Sequence, residues 1–255
     1  MSGQVTCDID GPLARVRLSH EGKFNAMSRA MWRALREVFL DLQNRSGLRV
    51  VEVAGANGHF CAGGDIAEYP SFRFSEPALR SFHEDAVWGG LQAMLDCDVP
   101  IVARIEGNCM GAGMEIASCC DIRLAAETAR FGAPIARLGF PMAPREAALV
   151  AAAAGDLTAR EMLLGAAVLD AHEMLRRGFL NQVFPTPGLS PEADRRLHHM
   201  TTLAPQAARM NKQTLRALAP KIADLSTAGS YRYATSAEHR EGIDAFLSKR
   251  QPDFD

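Results

Sequence analysis

The stretch Ile101–Ala126, IVARIEGNCMGAGMEIASCCDIRLAA, constrains the fold more than any other part of the chain. Ile101–Ile105 is a short apolar run after Pro100 that stops before Gly107, the pattern of a buried strand. Gly111-Ala112-Gly113 then allows a tight turn with little side-chain bulk. Met114–Cys120 reads as an apolar helix interrupted by one acid, Glu115, and Ile122–Ala126 as a second strand after Asp121. Free N–H groups at such a helix start carry partial positive charge and suit a developing anion. Glu115 follows Ala112 by about one helical turn, so its carboxylate can face the same point. The alternative is that Glu115 only complements the helix dipole.

The rest of the chain repeats this alternation. Val5–Ile9 and Ala14–Leu18 alternate apolar and polar residues around Asp10-Gly11, which predicts a hairpin. Ser28 is placed to cap a helix whose Met31, Trp32, Leu35, Val38, Phe39 and Leu42 recur at helical spacing, with Gly47 as its stop. Val50–Ala54 is the next strand, a glycine-rich loop runs through His59–Ile66, and a helix is expected over Pro77–Leu95. Strand, glycine turn and helix therefore occur twice, which predicts an α/β fold with ligands at the strand-to-helix turns.

Proline and glycine from Ala129 to Glu146 predict a structured loop. Beyond it, Thr158-Ala159-Arg160-Glu161 reads as a capping box, Leu169–Arg177 as a helix closed by Gly178, and Leu180–Phe184 as a last strand. Pro185-Thr186-Pro187-Gly188 divides a core, residues 1–188, from a region 189–255 that opens with Ser190-Pro191 as cap and first turn and reads as all helical. So many helical residues without strands seldom bury their apolar faces alone, so packing on the core or on another subunit is expected.

Composition removes several function classes. Lys and Arg total 28 against 30 Asp and Glu, a net charge of −2 with the charges scattered, so nothing resembles a nucleic-acid footprint. No apolar run approaches the ~18 residues of a membrane span, and Met1–Asp10 lacks the basic and apolar regions of a secretory signal. The six cysteines form no CxxC pair and no Cys/His metal spacing, so no metal site is expected and reduced thiols fit a cytosolic protein. Cys119 and Cys120 are expected to be buried, and His198-His199 to lie on a solvated face.

His59–Ile66 (HFCAGGDI), followed about forty residues later by Gly107–Ala126 (GNCMGAGMEIASCCDIRLAA), resembles the crotonase, or enoyl-CoA hydratase/isomerase, superfamily. KFNAMS, ARFGAPIARLGF and the closing AFLSKRQPDF extend the resemblance over nearly the whole chain. It implies a spiral of ββα units with a helical C-terminal trimerisation region, a homotrimer or dimer of trimers, and an acyl-CoA thioester substrate. No separate cofactor is implied, because coenzyme A enters as part of the substrate. The matching positions place the thioester oxygen between the backbone N–H groups of Gly64 and Ala112, paired donors that would stabilise an enolate. They also place CoA against Phe24 and Ala26, against Ala62, Asp65 and Ile66 on the adenine side, and against Lys249 at a phosphate; Lys249 is otherwise an ordinary exposed lysine.

Two positions depart from the family pattern. Glu115 matches one of the two hydratase glutamates, but the second should follow Phe131-Gly132-Ala133-Pro134, where this chain has Ile135. The dehalogenase and dienoyl-isomerase branches carry an aspartate where this chain has Ala143. Glu146 is on the same loop and can swing in as a substitute acid, with Arg145 either holding it or meeting a substrate carboxylate; a plain helix-start pair is the alternative. Glu84 and Asp85 are weaker candidates for an acyl-pocket wall. The resemblance thus implies an enoyl-CoA hydratase-type lyase, with a double-bond isomerase next and a decarboxylase or thioesterase behind it. A CoA-thioester-binding protein without catalysis is the rival of another class.

Overall fold

In the computed structural model, which describes residues 3–218 and 222–254, strands β1 (Gln4–Asp10) and β2 (Leu13–Ser19) form the expected antiparallel hairpin. Ala14, Val16 and Leu18 alternate onto the buried face of β2. Helix α1 (Arg29–Gln43) begins at Ser28, whose Oγ accepts the Met31 N–H at 3.2 Å. It ends at Asn44 rather than at Gly47, and buries Met31, Trp32, Leu35, Phe39 and Leu42.

From β3 (Val50–Gly55) onward the chain winds as a spiral. A helical stretch follows the glycine-rich loop: α2 (Glu76–Ser81), a wider π-helical turn at Phe82–Val87, and α3 (Trp88–Asp96). Next come β4 (Ile101–Ile105), β5 (Asn108–Met110) and α4 (Ala112–Ser118), then β6 (Ile122–Ala126), β7 (Arg130–Gly132), α5 (Pro144–Ala154) and α6 (Asp156–Leu164). The last winding holds β8 (Val168–Asp170), α7 (Ala171–Arg176) and β9 (Gln182–Phe184), and the chain continues into α8 (Thr186–Thr201), α9 (Pro205–Leu218) and α10 (Ala237–Leu247). Each winding lays one strand in a large sheet, ordered β1-β2-β3-β4-β6-β9 and parallel from β2, and one in a small sheet, β5-β7-β8. The β3 winding joins the small sheet through Cys61 alone, bridged to Cys109. This is the ββα spiral that the resemblance implied.

Three later boundaries also differ from expectation. Gly155 takes a left-handed φ of 87°, so α5 turns straight into α6, and Thr158 is buried inside that helix instead of capping it. Leu169 lies opposite Phe131 in β8, and the helix starts only after Asp170, whose Oδ1 accepts the Glu173 N–H at 2.8 Å. Helix α8 runs through Ser190-Pro191, because the Ser190 hydroxyl accepts from Arg104 Nη1 at 2.7 Å rather than capping a helix. The expected division at 188/189 therefore falls inside α8.

Helix α8 covers the outer face of the large sheet, setting Leu189, Ala193 and Leu197 on Val50, Val102, Leu124 and Ala126. Helix α9 buries no side chain. It holds on by long cations, Lys212 to Asp121 at 2.7 Å and Arg216 to Asp98 at 2.7 Å, and leaves Met210, Leu215 and Leu218 exposed. Helix α10 returns to the core: the α-carbon of Gly242 lies so close to Leu138-Gly139 that a methyl group there would overlap their backbone. Residues 219–221 and 255 of the region expected to be helical, and Met1 and Ser2, lie outside the described residues. Among those described, no helix is long and apolar enough to cross a membrane. Cys119 and Cys120 are buried, and His198 and His199 are exposed.

Candidate active site

Two glycine turns meet because backbone hydrogen bonds tie them together. Cys61 N–H donates to Asn108 O and Met110 N–H to Cys61 O, both at 2.8 Å. On the other side Met27 N–H donates to Gly63 O at 2.7 Å and Asp65 N–H to Met27 O at 2.9 Å. In such a parallel bridge the central residue turns its own N–H away from its partner, so Gly64 presents its N–H away from Met27. Gly111 takes a φ of 47° to swing the chain from β5 into α4, and Ala112 is the first helical residue, where the N–H has no intrahelical acceptor. Gly113 lies so close to Cys61 that a Cβ would stand 2.6 Å from its carbonyl oxygen. Gly64 and Ala112 both line a cavity of about 550 Å³, and neither N–H has a backbone acceptor among the described residues.

Glu115 lines the same cavity one turn along α4, and its carboxyl is pushed up to about 8. Burial is the main cause; the negative charge of Glu146 adds to it, and Arg73 opposes it. The shift favours the neutral acid form of Glu115. Glu146, in the first turn of α5, is fully enclosed, and its Oε1 lies 3.0 Å from His83 Nδ1. Burial pushes the His83 imidazole down, toward its neutral form, so Nδ1–H donates to the carboxylate.

Several expectations are corrected here. Glu146 does not line the cavity; it pairs with His83, which does, and its charge is felt by Glu115. Arg145 neither holds Glu146 nor meets the cavity, since its Nη1 pairs with Glu84 Oε2 at 2.7 Å. Glu84 also accepts from the Tyr231 hydroxyl at 3.1 Å, and Asp85 accepts from Ser81 at 2.7 Å. The pocket wall on that helix is instead Phe82, His83 and Val87, turned inward by the π-helical winding. Ile135 and Ala143 are both on the cavity wall.

Phe24, Ala26, Ala62, Asp65 and Ile66 all line the cavity, Phe24 with more than half of its surface exposed. Asn25, with a φ of 62°, fixes this wall by donating to the carbonyls of Ala56 and His59 at 2.8 and 2.7 Å. Asp65 pairs with Lys23 at 2.6 Å. Lys249 is exposed just past α10 and outside the lining, to which the C-terminal region contributes Phe246 and Leu247.

Sequence reasoning missed His83 and Arg73. Arg73 is 1% exposed and lines the cavity. Its guanidinium carbon stands 4.4 Å from the Tyr69 ring centre and 4.1 Å from that of Phe140. The one local signal was a lone arginine among Tyr69, Phe72 and Phe74.

Comparison with known proteins gives a consistent result. The family model described as enoyl-CoA hydratase/isomerase matches residues 8–255. A probable enoyl-CoA hydratase of Mycobacterium tuberculosis is 28% identical over 98% of this chain and 97% of its own. The crystal structure of an enoyl-CoA hydratase/carnitine racemase from Magnetospirillum magneticum superposes with a TM-score of 0.82 at 30% identity, covering 98% of this chain and 95% of that one. A methylmalonyl-CoA decarboxylase in complex with 2-nitronate-propionyl-CoA gives 0.86 at 25% identity, covering 99% and 98%.

Proposed function

The chain belongs to the enoyl-CoA hydratase/isomerase family, and from that premise we propose that it hydrates a 2-enoyl-CoA thioester. The observation that carries this reading is a partly buried Glu115 lining the same cavity as two N–H groups without backbone acceptors, one of them a helical turn away at Ala112. The thioester oxygen sits between Gly64 and Ala112, whose N–H groups take up the charge as water oxygen bonds to the β-carbon. Glu115 gives its proton to the α-carbon and recovers one from the attacking water, ending as the acid it began as. Burial favours that acid form of Glu115, and the negative charge of Glu146, held by His83, adds to it. The CoA moiety leaves through the rim at Phe24, Ala26, Ala62, Asp65 and Ile66, with Lys249 free to reach a phosphate from beyond it.

Crotonyl-CoA and longer 2-enoyl-CoAs should lose their conjugated thioester absorbance on addition of the protein. Unchanged absorbance at every chain length, with acyl-CoA still bound, would overturn hydration. A double-bond isomerase is the second reading, because moving a proton between two carbons needs one acid/base group, which Glu115 supplies, although Ile135 on the wall weakens it as it weakens hydration. It would be recognised by a gain of that absorbance from 3-enoyl-CoA.

Assembly follows from the helical region. The exposed Met210, Leu215 and Leu218 of α9 have no cover among the described residues, so the reading includes a homotrimer or a dimer of trimers. Light scattering at micromolar concentration should give a trimer or hexamer mass, and a stable monomer would refute it.

A further inference from the structure

Arg73 is a buried cation without a buried anion against it. Its Nε donates to His239 Nε2 at 3.4 Å and its Nη2 to the Tyr233 hydroxyl oxygen at 3.1 Å. His239 Nδ1 lies 3.2 Å from Ala234 O, which places the imidazole proton on Nδ1 and leaves the ring neutral. Both direct partners are therefore uncharged. Among the described residues no carboxylate comes within 4.0 Å of Arg73.

The other enclosed arginines are satisfied differently. Arg104 reaches Glu52 at 2.9 Å, Arg145 reaches Glu84, and Arg123 ends on the carbonyls of Phe179, Ala117 and Cys120. Glu115 and Glu146 feel the Arg73 field or share its surroundings, yet neither is in contact with it. An unpaired buried charge is costly to keep, and it persists where a ligand supplies the counter-charge. Here the unpaired guanidinium lies on the wall of the cavity that holds Gly64, Ala112 and Glu115, among Tyr69, Phe82, Phe140 and Met142.

We propose that Arg73, with the Tyr233 hydroxyl beside it, binds a carboxylate carried by the acyl group, so that the substrate is a carboxyacyl-CoA. This rests on the acyl-CoA reading above. A guanidinium offers parallel donors that match the two oxygens of a carboxylate. The apolar walls accept the methylene chain, and the phosphates of CoA belong at the mouth, where Lys23 and Arg137 are exposed.

The test is calorimetric binding of matched saturated pairs to the wild-type protein and to Arg73→Gln: succinyl- against butyryl-CoA, glutaryl- against pentanoyl-CoA, and adipyl- against hexanoyl-CoA. The wild type should bind at least one carboxylated member about tenfold or more tightly than its neutral counterpart, the scale of a charge-assisted pair. Arg73→Gln should bring that pair to equal affinity, and Arg73→Lys should restore the preference in part. Should Arg73→Gln fail to fold, the wild-type ratios and Tyr233→Phe, which should narrow the preference, still decide. Neutral chains bound as tightly as carboxylated ones, or a preference that survives in Arg73→Gln, would overturn the carboxylate site alone. No binding of either kind would overturn the acyl-CoA reading and this inference with it.

Discussion

Glu115→Gln is expected to slow turnover about 10²-fold or more, because glutamine keeps the shape of the side chain and cannot pass a proton. The pH profile should carry the same information. Glu115 sits at about 8, so the acid form needed for proton donation is lost as the pH rises through that value, and kcat/KM should fall above it. In Glu115→Gln that limb should vanish. Glu146→Gln removes the nearby negative charge, so the limb should move to lower pH; a Glu146 that only supports the fold would lower the melting temperature without moving it. Stability has its own sign. Folding raises Glu115 from 4.5, so the folded protein holds this proton more tightly than the unfolded chain, and the group's contribution falls as the pH rises from about 4.5 through 8. Glu115→Gln should escape that loss and melt higher than the wild type at alkaline pH. Full activity in Glu115→Gln would refute the proton-transfer scheme, whatever happens to the melt.

Ala112→Pro should cost a comparable amount, about 10²–10³-fold in kcat, by deleting one of the two donors. Ala112 is the first residue of α4, so proline there removes no intrahelical hydrogen bond, but it restricts Gly111 (φ 47°, ψ −107°) before it, and a thermal melt must accompany the assay. Because the donor acts mainly on the enolate, acyl-CoA affinity should change less than turnover. An unchanged rate in a variant whose thermal melt is native-like would show that Ala112 is not a donor.

Most of the scaffold could be read from local pattern. The hairpin, the Ser28 cap, the two glycine turns and Glu115 in the first turn of α4 all rest on residues close together in sequence. The boundaries that moved did so for tertiary reasons: Leu169 pairs with β7, and the Ser190 hydroxyl is taken by Arg104. The same holds for the polar network around Glu115. His83 finds Glu146 and Arg145 finds Glu84 across more than sixty residues, so adjacency suggested Arg145–Glu146 and missed both real pairs. Arg73 was invisible for a related reason. A cation in a loop sequence reads as solvated, and only the folded chain reveals that two aromatic rings enclose it.

The backbone bridges that fix Gly64 and Ala112 also determine how this protein would respond to systematic substitution. An alanine-scanning library leaves position 112 unchanged by construction. At position 64 it adds a methyl group 2.0 Å from the Tyr69 hydroxyl while keeping the N–H, so any lost activity would be scored as crowding. Such a library would rank Glu115 as the whole of the chemistry and record its other half as silence. Donors supplied by the main chain become visible only to replacements that alter the main chain itself, such as proline or an amide-to-ester exchange.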